Sequence, residues 1–368
     1  MSVNIAIVGL AKSGKTTIFN ALTKGRAESK SHTPEGFSLH IGVVKVPEPR
    51  LKSLADMLHP NRVVPAEVKY VDIGASVKSL VDAKGISSQL LNQLSTADAL
   101  IHVVRAFPDE SIPHPEGSLE IHRDIATMEL ELAFSDLAII ERRLNKVEES
   151  LKAAKAHERQ AFLHEQEMML KFRVDLEKDI PIRELKLTPE EVKAISPYQF
   201  LSAKPILTVV NVGESQLHQS ASLEAELSAR YSHPRRRVIT LCGKLEMELA
   251  QLDESAAEGF RAEFGLKESG LDRTIKISYE LLGLISFFTI ASGEVRAWSV
   301  PHETPAPRAA GKIHSDMERG FIRAEVISYD DLVKCGNIPE ARKRGLLRLE
   351  GKNYIVQDGD VITFLFNV

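Results

Sequence analysis

The segment Gly9-Leu10-Ala11-Lys12-Ser13-Gly14-Lys15-Thr16 constrains this chain more than any other. It fits G-x-x-x-x-G-K-[ST], and its flanks are the ones that pattern requires. Before it, Asn4 to Val8 (NIAIV) is a short apolar, β-branched run that predicts a strand. After it, Thr16 to Lys24 has helical character. Gly9 and Gly14 let the backbone curl so that successive amides point inward. The backbone of Lys12, Ser13, Gly14, Lys15, Thr16 and Thr17 is expected to cradle a phosphate chain at a helix N-terminus. Lys15 would reach the β- and γ-phosphates, and the Thr16 hydroxyl would ligate Mg²⁺.

A phosphate loop of this kind belongs to an α/β sheet, and the next segments agree. Val68 to Asp72, Ala99 to Phe107, Pro205 to Asn211 and Arg237 to Leu241 read as further strands separated by helices. That order implies a mainly parallel sheet. Between about 128 and 200 the pattern changes. Met128 to Glu177 has no Gly and no Pro, with apolar residues at three- and four-residue steps: Leu130, Phe134, Leu137, Ile140, Leu144, Val147, Leu151. This predicts two long helices in an antiparallel hairpin, inserted into the α/β domain. Thr188-Pro189-Glu190-Glu191 reads as a further helix start. After about 278, short strands are expected at Ser286 to Ala291, Val295 to Val300, Ile322 to Ile327 and Val361 to Phe366. Pro301 to Gly311 reads as a loop. The expected division is a P-loop domain over 1–128 and 201–278, an inserted helical domain over 129–200, and a small β domain over 279–368.

Composition closes off other classes. The chain has 368 residues, 43% apolar and 27% charged, which excludes a disordered chain and a small disulfide scaffold. A net charge of −4 argues against a bulk polyanion-coating protein. Two cysteines, Cys242 and Cys335, make no metal spacing and no disulfide framework, so the chain reads as cytoplasmic. The most apolar stretch, Leu281 to Ala291, is too short to span a membrane.

Asp72, at a strand end, is the expected second holder of Mg²⁺. A switch of the common Asp-x-x-Gly form would follow; the chain has Asp72-Ile73-Gly74-Ala75, with the Gly one place early. A guanine reader has the form Asn-Lys-x-Asp; here Asn211-Val212-Gly213-Glu214 takes its place, without the Lys and with a longer acid. Asn211, Val212 and Glu214 are expected to face a purine base. Cys242 and Gly243, in Leu241-Cys242-Gly243-Lys244, are expected to close over it. His314, Arg319 and Arg323 are candidate contacts to RNA or to another protein, against the alternative that the arginines pair with Asp316, Glu318 and Glu325. The runs Arg342-Lys343-Arg344 and Arg235-Arg236-Arg237 are small electrostatic footprints.

With these residues in view, the chain resembles the YchF family of Obg-like P-loop NTPases. The likeness includes Gly42-Val43-Val44-Lys45-Val46-Pro47-Glu48-Pro49-Arg50-Leu51 and His102-Val103-Val104-Arg105-Ala106-Phe107. Its most specific part is the run from Ala309 to Glu325, AAGKIHSDMERGFIRAE. The resemblance implies a G domain, an inserted coiled-coil domain and a C-terminal TGS domain of β-grasp fold. It also implies acceptance of ATP, often in preference to GTP, and association with ribosomes and stress responses. Family members carry a Mg²⁺-ligating Thr in switch I; its place here is Gly36, with Thr33 three residues earlier. The hydrophobic residue that replaces a catalytic Gln in the family is Ser76 here, a weak water-positioning candidate. Two expectations follow. One is a Mg²⁺-dependent hydrolase of ATP or GTP, giving ADP or GDP. The other is a nucleotide-gated ribosome- or RNA-binding adaptor with little turnover, because Gly74, Ala75 and Ser76 depart from the switch pattern.

Overall fold

The computed structural model describes residues 3–25, 29–32, 38–73, 81–82, 85–86 and 93–367. Its strands are β1 (Val3–Val8), β2 (Ser29–His32), β3 (Ser38–Lys45), β4 (Arg62–Val64), β5 (Glu67–Ile73), β6 (Val81–Asp82), β7 (Gly85–Ile86), β8 (Ala99–Arg105), β9 (Ile206–Asn211), β10 (Arg236–Leu241), β11 (Leu284–Ala291), β12 (Glu294–Pro301), β13 (Phe321–Ser328), β14 (Arg348–Glu350) and β15 (Asp360–Phe366). The helices that matter below are α1 (Lys15–Leu22), α2 (Pro49–Leu58), α3 (Ile121–Ala153), α4 (Ala156–Leu176) and α5 (Pro189–Ile195). The chain divides into two compact units: residues 4–43 with 69–271, and residues 1–3 with 44–68 and 272–368.

The larger unit is built on a seven-stranded sheet of order β10-β9-β8-β1-β5-β3-β2. The pairs β1/β8, β8/β9 and β9/β10 are parallel, whereas β2/β3 is antiparallel. Every residue of β8 and β9 is buried, the mark of parallel strands covered on both faces. The parallel α/β sheet expected from the strand spacing is therefore present, with each expected strand within two residues of its place.

The helical block starts earlier than expected. α3 runs unbroken from Ile121, across the expected boundary at 128/129, because no Gly or Pro interrupts it after Gly117. Its buried residues differ from the predicted stripe: Ile125, Met128, Leu132, Asp136, Ile140, Leu144 and Val147 are inside, while Leu130 and Phe134 are exposed. Met128 and Leu132 join Leu100, Leu201 and Ile206 in the sheet core. Ile140 and Leu144 pack with Met169, Phe172 and Leu176 of α4. One helix thus serves two cores in succession. Arg143 of α3 holds Glu165 of α4 through two hydrogen bonds, at 2.8 and 2.7 Å. α5 begins where expected, with the Thr188 side chain accepting from Glu191 N and Glu191 reaching back to Thr188 N.

The chain returns to the sheet through a buried carboxylate. Asp136 of α3 accepts from the amides of Leu201 and Ser202 at 2.8 and 2.7 Å. Lys204 then donates to the carbonyls of Ser95 and Ala97.

The smaller unit holds a six-stranded sheet, β14-β13-β15-β11-β12-β4. β11 and β12 form a hairpin whose two turn residues, Ser292 (φ 51°) and Gly293 (φ 75°), both take the left-handed conformation such a tight turn demands. Residues 44–68 belong here, a grouping with no composition signal. Arg50 explains it in part. Its guanidinium donates to both Glu48 oxygens and to Asp358 at 2.7 Å, and lies 5.6 Å over the Phe288 ring. The expected loop over Pro301 to Gly311 is corrected: Ala306–Ile313 is a helix capped by Pro305. Pro307 sits in its first turn, where a missing N–H costs no bond. Ala306, Ala309 and Ala310 of that helix are fully buried, so much of the Ala309–Glu325 run packs the unit. Arg319 pairs with Asp316, Arg342 with Glu325 and Arg344 with Glu340, so the expected basic run is largely neutralised. Among the described residues, no helix is long and apolar enough to cross a membrane.

Burial pushes the Asp136 carboxyl up to about 6, against the pull of its amide and Arg183 partners. The folded chain therefore holds that proton more tightly than the unfolded chain, where Asp titrates near ~3.9. The group's stabilising contribution is full below about pH 4 and is lost as pH rises through about 6. In urea unfolding from acid to neutral pH, the stability advantage of wild type over Asp136→Asn is expected to shrink up to about pH 6 and stay flat above it. A difference that does not vary with pH would show that Asp136 does not titrate in this window.

Candidate functional site

β1 delivers Gly9 with φ +154°, and the loop closes at Gly14 with φ +94° just before α1. Neither position has room for a side chain. A Cβ on Gly9 would lie 2.4 Å from the Val103 carbonyl oxygen, and one on Gly14 would lie 2.2 Å from Asn211 Nδ2. Lys12 also takes a left-handed conformation (φ 62°) and is exposed.

The Lys15 ammonium is buried and folded onto its own loop, donating to the carbonyls of Gly9 and Leu10 at 3.0 and 2.9 Å. Burial holds its pKa below the usual lysine value, and Asp72 opposes that shift. Thr16, the next residue, donates its hydroxyl to Asp72 Oδ2 at 2.9 Å. Asp72, near the end of β5, is fully buried; among the described residues its Oδ1 has no hydrogen-bond partner, and neither has the buried Ser13 hydroxyl. A carboxylate removed from water with one oxygen unmatched is costly unless something else engages it. The donor set suits a hard divalent cation beside a phosphate chain: a hydroxyl and a carboxylate oxygen, with inward amides and an ammonium alongside. The orphaned carboxylate oxygen, next to the Thr16 hydroxyl and the Lys15 ammonium, is what makes Mg²⁺ and a phosphate chain fit here.

The base-side residues divide by role. Asn211, ending β9, donates from Nδ2 to the Ser13 carbonyl at 3.0 Å and accepts at Oδ1 from Gly243 N, also at 3.0 Å. Its side chain ties the phosphate loop to the loop after β10. Glu214 is exposed and pairs with Lys244 at 3.0 Å. Val212 and Cys242 are buried in the apolar cluster around Val210 and Leu245, so their side chains face the core and only their backbones can meet a ligand. Burial pushes the Cys242 thiol up. Thr17 is half-buried on α1. Thr33, Gly36, Gly74, Ala75 and Ser76 lie outside the described residues.

Two features escaped the sequence reading. His40 of β3 places Nδ1 3.4 Å from Asp72 Oδ2, and only strand register brings it there. Arg105 stacks 4.6 Å over the Phe107 ring and donates to the carbonyls of Phe107, Asp109 and Ile112, shaping the loop after β8. The motif His102 to Phe107 contained both residues without indicating this role.

Residues 4–140 match the family described as "50S ribosome-binding GTPase", and residues 284–367 match YchF-GTPase_C, described as "Protein of unknown function (DUF933)". The chain is 40% identical over 370 residues to the "Ribosome-binding ATPase YchF" of Bacillus subtilis (strain 168), and 38% identical to that of Escherichia coli O157:H7. Each alignment covers 100% of both chains. The solved structure of the Schizosaccharomyces pombe YchF GTPase superposes with a TM-score of 0.83 at 28% identity, covering 99% of this chain and 98% of that one. Phosphate loop, sheet order and full-length identity agree: the chain belongs to the YchF family.

Proposed function

We propose that this protein binds a purine nucleoside triphosphate with Mg²⁺, hydrolyses it, and couples that cycle to the ribosome. The observation that carries the reading is the hydrogen bond from the exposed Thr16 hydroxyl to the buried Asp72, whose other carboxylate oxygen has no partner among the described residues, set beside the Lys15 ammonium. In this reading Lys15 exchanges the Gly9 and Leu10 carbonyls for phosphate oxygens. The amides of residues 12–17 hold the phosphate chain, and the unpartnered Ser13 hydroxyl turns to it. Thr16 and Asp72 are the side chains that would hold the cation. When bound, Mg²⁺ neutralises phosphate charge as it develops. Catalysis is then positioning plus electrostatic stabilisation, with little covalent chemistry for the protein to do.

ATP is the proposed substrate, for two reasons. The relatives carry ATPase in their names. Glu214, which stands at the guanine-reading place, is engaged by Lys244. The base then rests against the backbone of Val212, Cys242 and Gly243, beside the Asn211 tie. The relatives' names also support turnover over a non-hydrolysing adaptor, and ribosome coupling over an unpartnered enzyme. We assign the ribosome contact to the α3/α4 hairpin, read as a coiled coil within 129–200, and to the C-terminal residues, read as a TGS-like β-grasp domain. The working compartment is the cytoplasm.

Single-turnover hydrolysis of ATP and GTP with Mg²⁺ tests the reading. ATP should turn over, and Lys15→Ala should lower the rate by about 10²–10³-fold, the loss typical of removing one preorganised charge-stabilising donor. Tight nucleotide binding with no turnover, with or without ribosomes, would instead make the protein an adaptor. Asn211→Ala orphans the buried amide of Gly243, so it should destabilise the fold by about 1–3 kcal/mol and weaken ATP and GTP affinity alike. Titration calorimetry reads the second effect; a loss confined to one base would mean that Asn211 reads the base instead of bracing the loops.

A further inference from the structure

Away from the phosphate loop, a cavity of about 210 Å³ opens at the root of the helical hairpin. Its apolar wall is Ile125, Leu130, Ala133, Leu176 and Ile180. Leu130 and Ile180, both exposed, form its rim. Its polar wall is the Arg236 guanidinium with the carboxylates of Glu129 and Asp179, the latter on an exposed residue.

The sequence run Arg235-Arg236-Arg237 had suggested a surface charge, but Arg236 is only 7% exposed. The Tyr231 ring fixes it from one side, 4.2 Å away, and that ring's hydroxyl bonds His122 Nδ1. Arg236 Nη1 donates to Glu184 at 3.3 Å. Its Nε and Nη2, the edge of a guanidinium that grips a carboxylate with two parallel bonds, have no hydrogen-bond partner among the described residues. Glu129 gives Oε2 to the fully buried Arg183, while its Oε1 has no hydrogen-bond partner either. That oxygen stands 3.6 Å from Arg236 Nη2, an ion pair outside bonding distance. Beside the apolar chamber, therefore, lie a two-pronged donor edge and a carboxylate oxygen, both covered from solvent, that make no hydrogen bond among the described residues and meet each other only as an ion pair.

Those three features describe the two faces of one small molecule, and we infer that the cavity is a binding site for a free α-amino acid with a large apolar side chain. The α-carboxylate takes the Nε/Nη2 edge of Arg236, the α-ammonium takes Glu129 Oε1, and the side chain fills the chamber. One α-amino acid head can serve both unmatched groups, since they are only 3.6 Å apart. The paired side chains balance, Arg183 and Arg236 against Glu129 and Glu184, and the exposed Asp179 adds one further negative charge at the wall, so a zwitterion serves both groups without adding net charge, whereas a bare anion would meet two carboxylates. A simple carboxylic acid would leave Glu129 facing a second anion, and a simple amine would leave the guanidinium edge bare. Each unmatched buried group costs about 1–3 kcal/mol, which is what rejects such analogues. The chamber accepts a leucine- or phenylalanine-sized group: a cavity of about 150 Å³ is enough for benzene.

Thermal unfolding and titration calorimetry on the full chain, with L-leucine and L-phenylalanine as probes, test the site. Both should bind, raising the unfolding midpoint by about 2–4 °C at tenfold excess over Kd. 4-Methylpentanoate, isoamylamine and glycine, which lack in turn the ammonium, the carboxylate and the side chain, should bind about tenfold or more weakly. Ala126 lines the cavity from an exposed position on α3, so Ala126→Phe should fill it and abolish binding with the fold intact. Arg236→Lys should weaken binding too, though that buried change also threatens folding. Four results would each overturn the inference: no binding of either probe at about 10 mM, 4-methylpentanoate binding as tightly as leucine, leucine binding that survives Ala126→Phe, or tighter binding of N-acetyl-L-leucine. The last would reassign the cavity to the end of a peptide chain.

Discussion

The two hydrogen bonds of the Asn211 side chain hold the site together. They link a carbonyl of the phosphate loop to an amide after β10, across the four neighbouring parallel strands β1, β8, β9 and β10. Both loops hang from strand ends, anchored by the buried Leu10 on one side and the buried Cys242 on the other. One amide side chain, with one donor and one acceptor used, fixes their spacing. Gly14 has no side chain because Asn211 Nδ2 occupies that space, and Gly243 begins its helix where Asn211 Oδ1 receives it. The phosphate loop is thus shaped as much by a residue nearly two hundred positions away as by its own glycines.

How much of this was legible beforehand depended on the range of the force involved. The phosphate loop, the buried strands and the cap of α5 are local: glycine conformations, β-branched runs and a Thr-Pro-Glu-Glu start speak for themselves. The inward face of α3 was misread because its helix serves two different cores in turn, which shifts the buried stripe partway along. Phe134 looked like a core residue by spacing and is exposed; Asp136 looked polar and is fully buried. The neighbours His40 and Asp72 meet through sheet register, which no periodicity reports. The membership of 44–68 in the smaller unit rests on β4 pairing with β12 and on Arg50 reaching Asp358, contacts that bridge most of the sequence. Motif likeness over Gly42 to Leu51 pointed to the same residues without revealing what they do.

Charge placement followed a similar division. Runs of arginine suggested surfaces, yet the structure distributes them. Arg342 and Arg344 are paired in the smaller unit, and Arg236 is buried at the hairpin root. A run of like charge in sequence becomes separate environments once alternate residues of a strand point to opposite faces. The buried member then meets carboxylates from α3 and from the segment after α4, a meeting that only the folded helical block creates.

The continuity of α3 has a mechanical consequence. From Asp136, where the helix is held to the returning chain, to its end at Ala153 the helix extends about 26 Å at 1.5 Å per residue. A rigid rod of that length magnifies small rotations: a tilt of about 10° at the root sweeps the far end through roughly 4–5 Å. The helix has no Gly or Pro to absorb such a tilt, so motion at the sheet would arrive at the tip undiminished. The fold therefore gives the hairpin a stiff arm whose root is held by Met128 and Leu132 in the sheet core and by the buried Asp136 carboxylate.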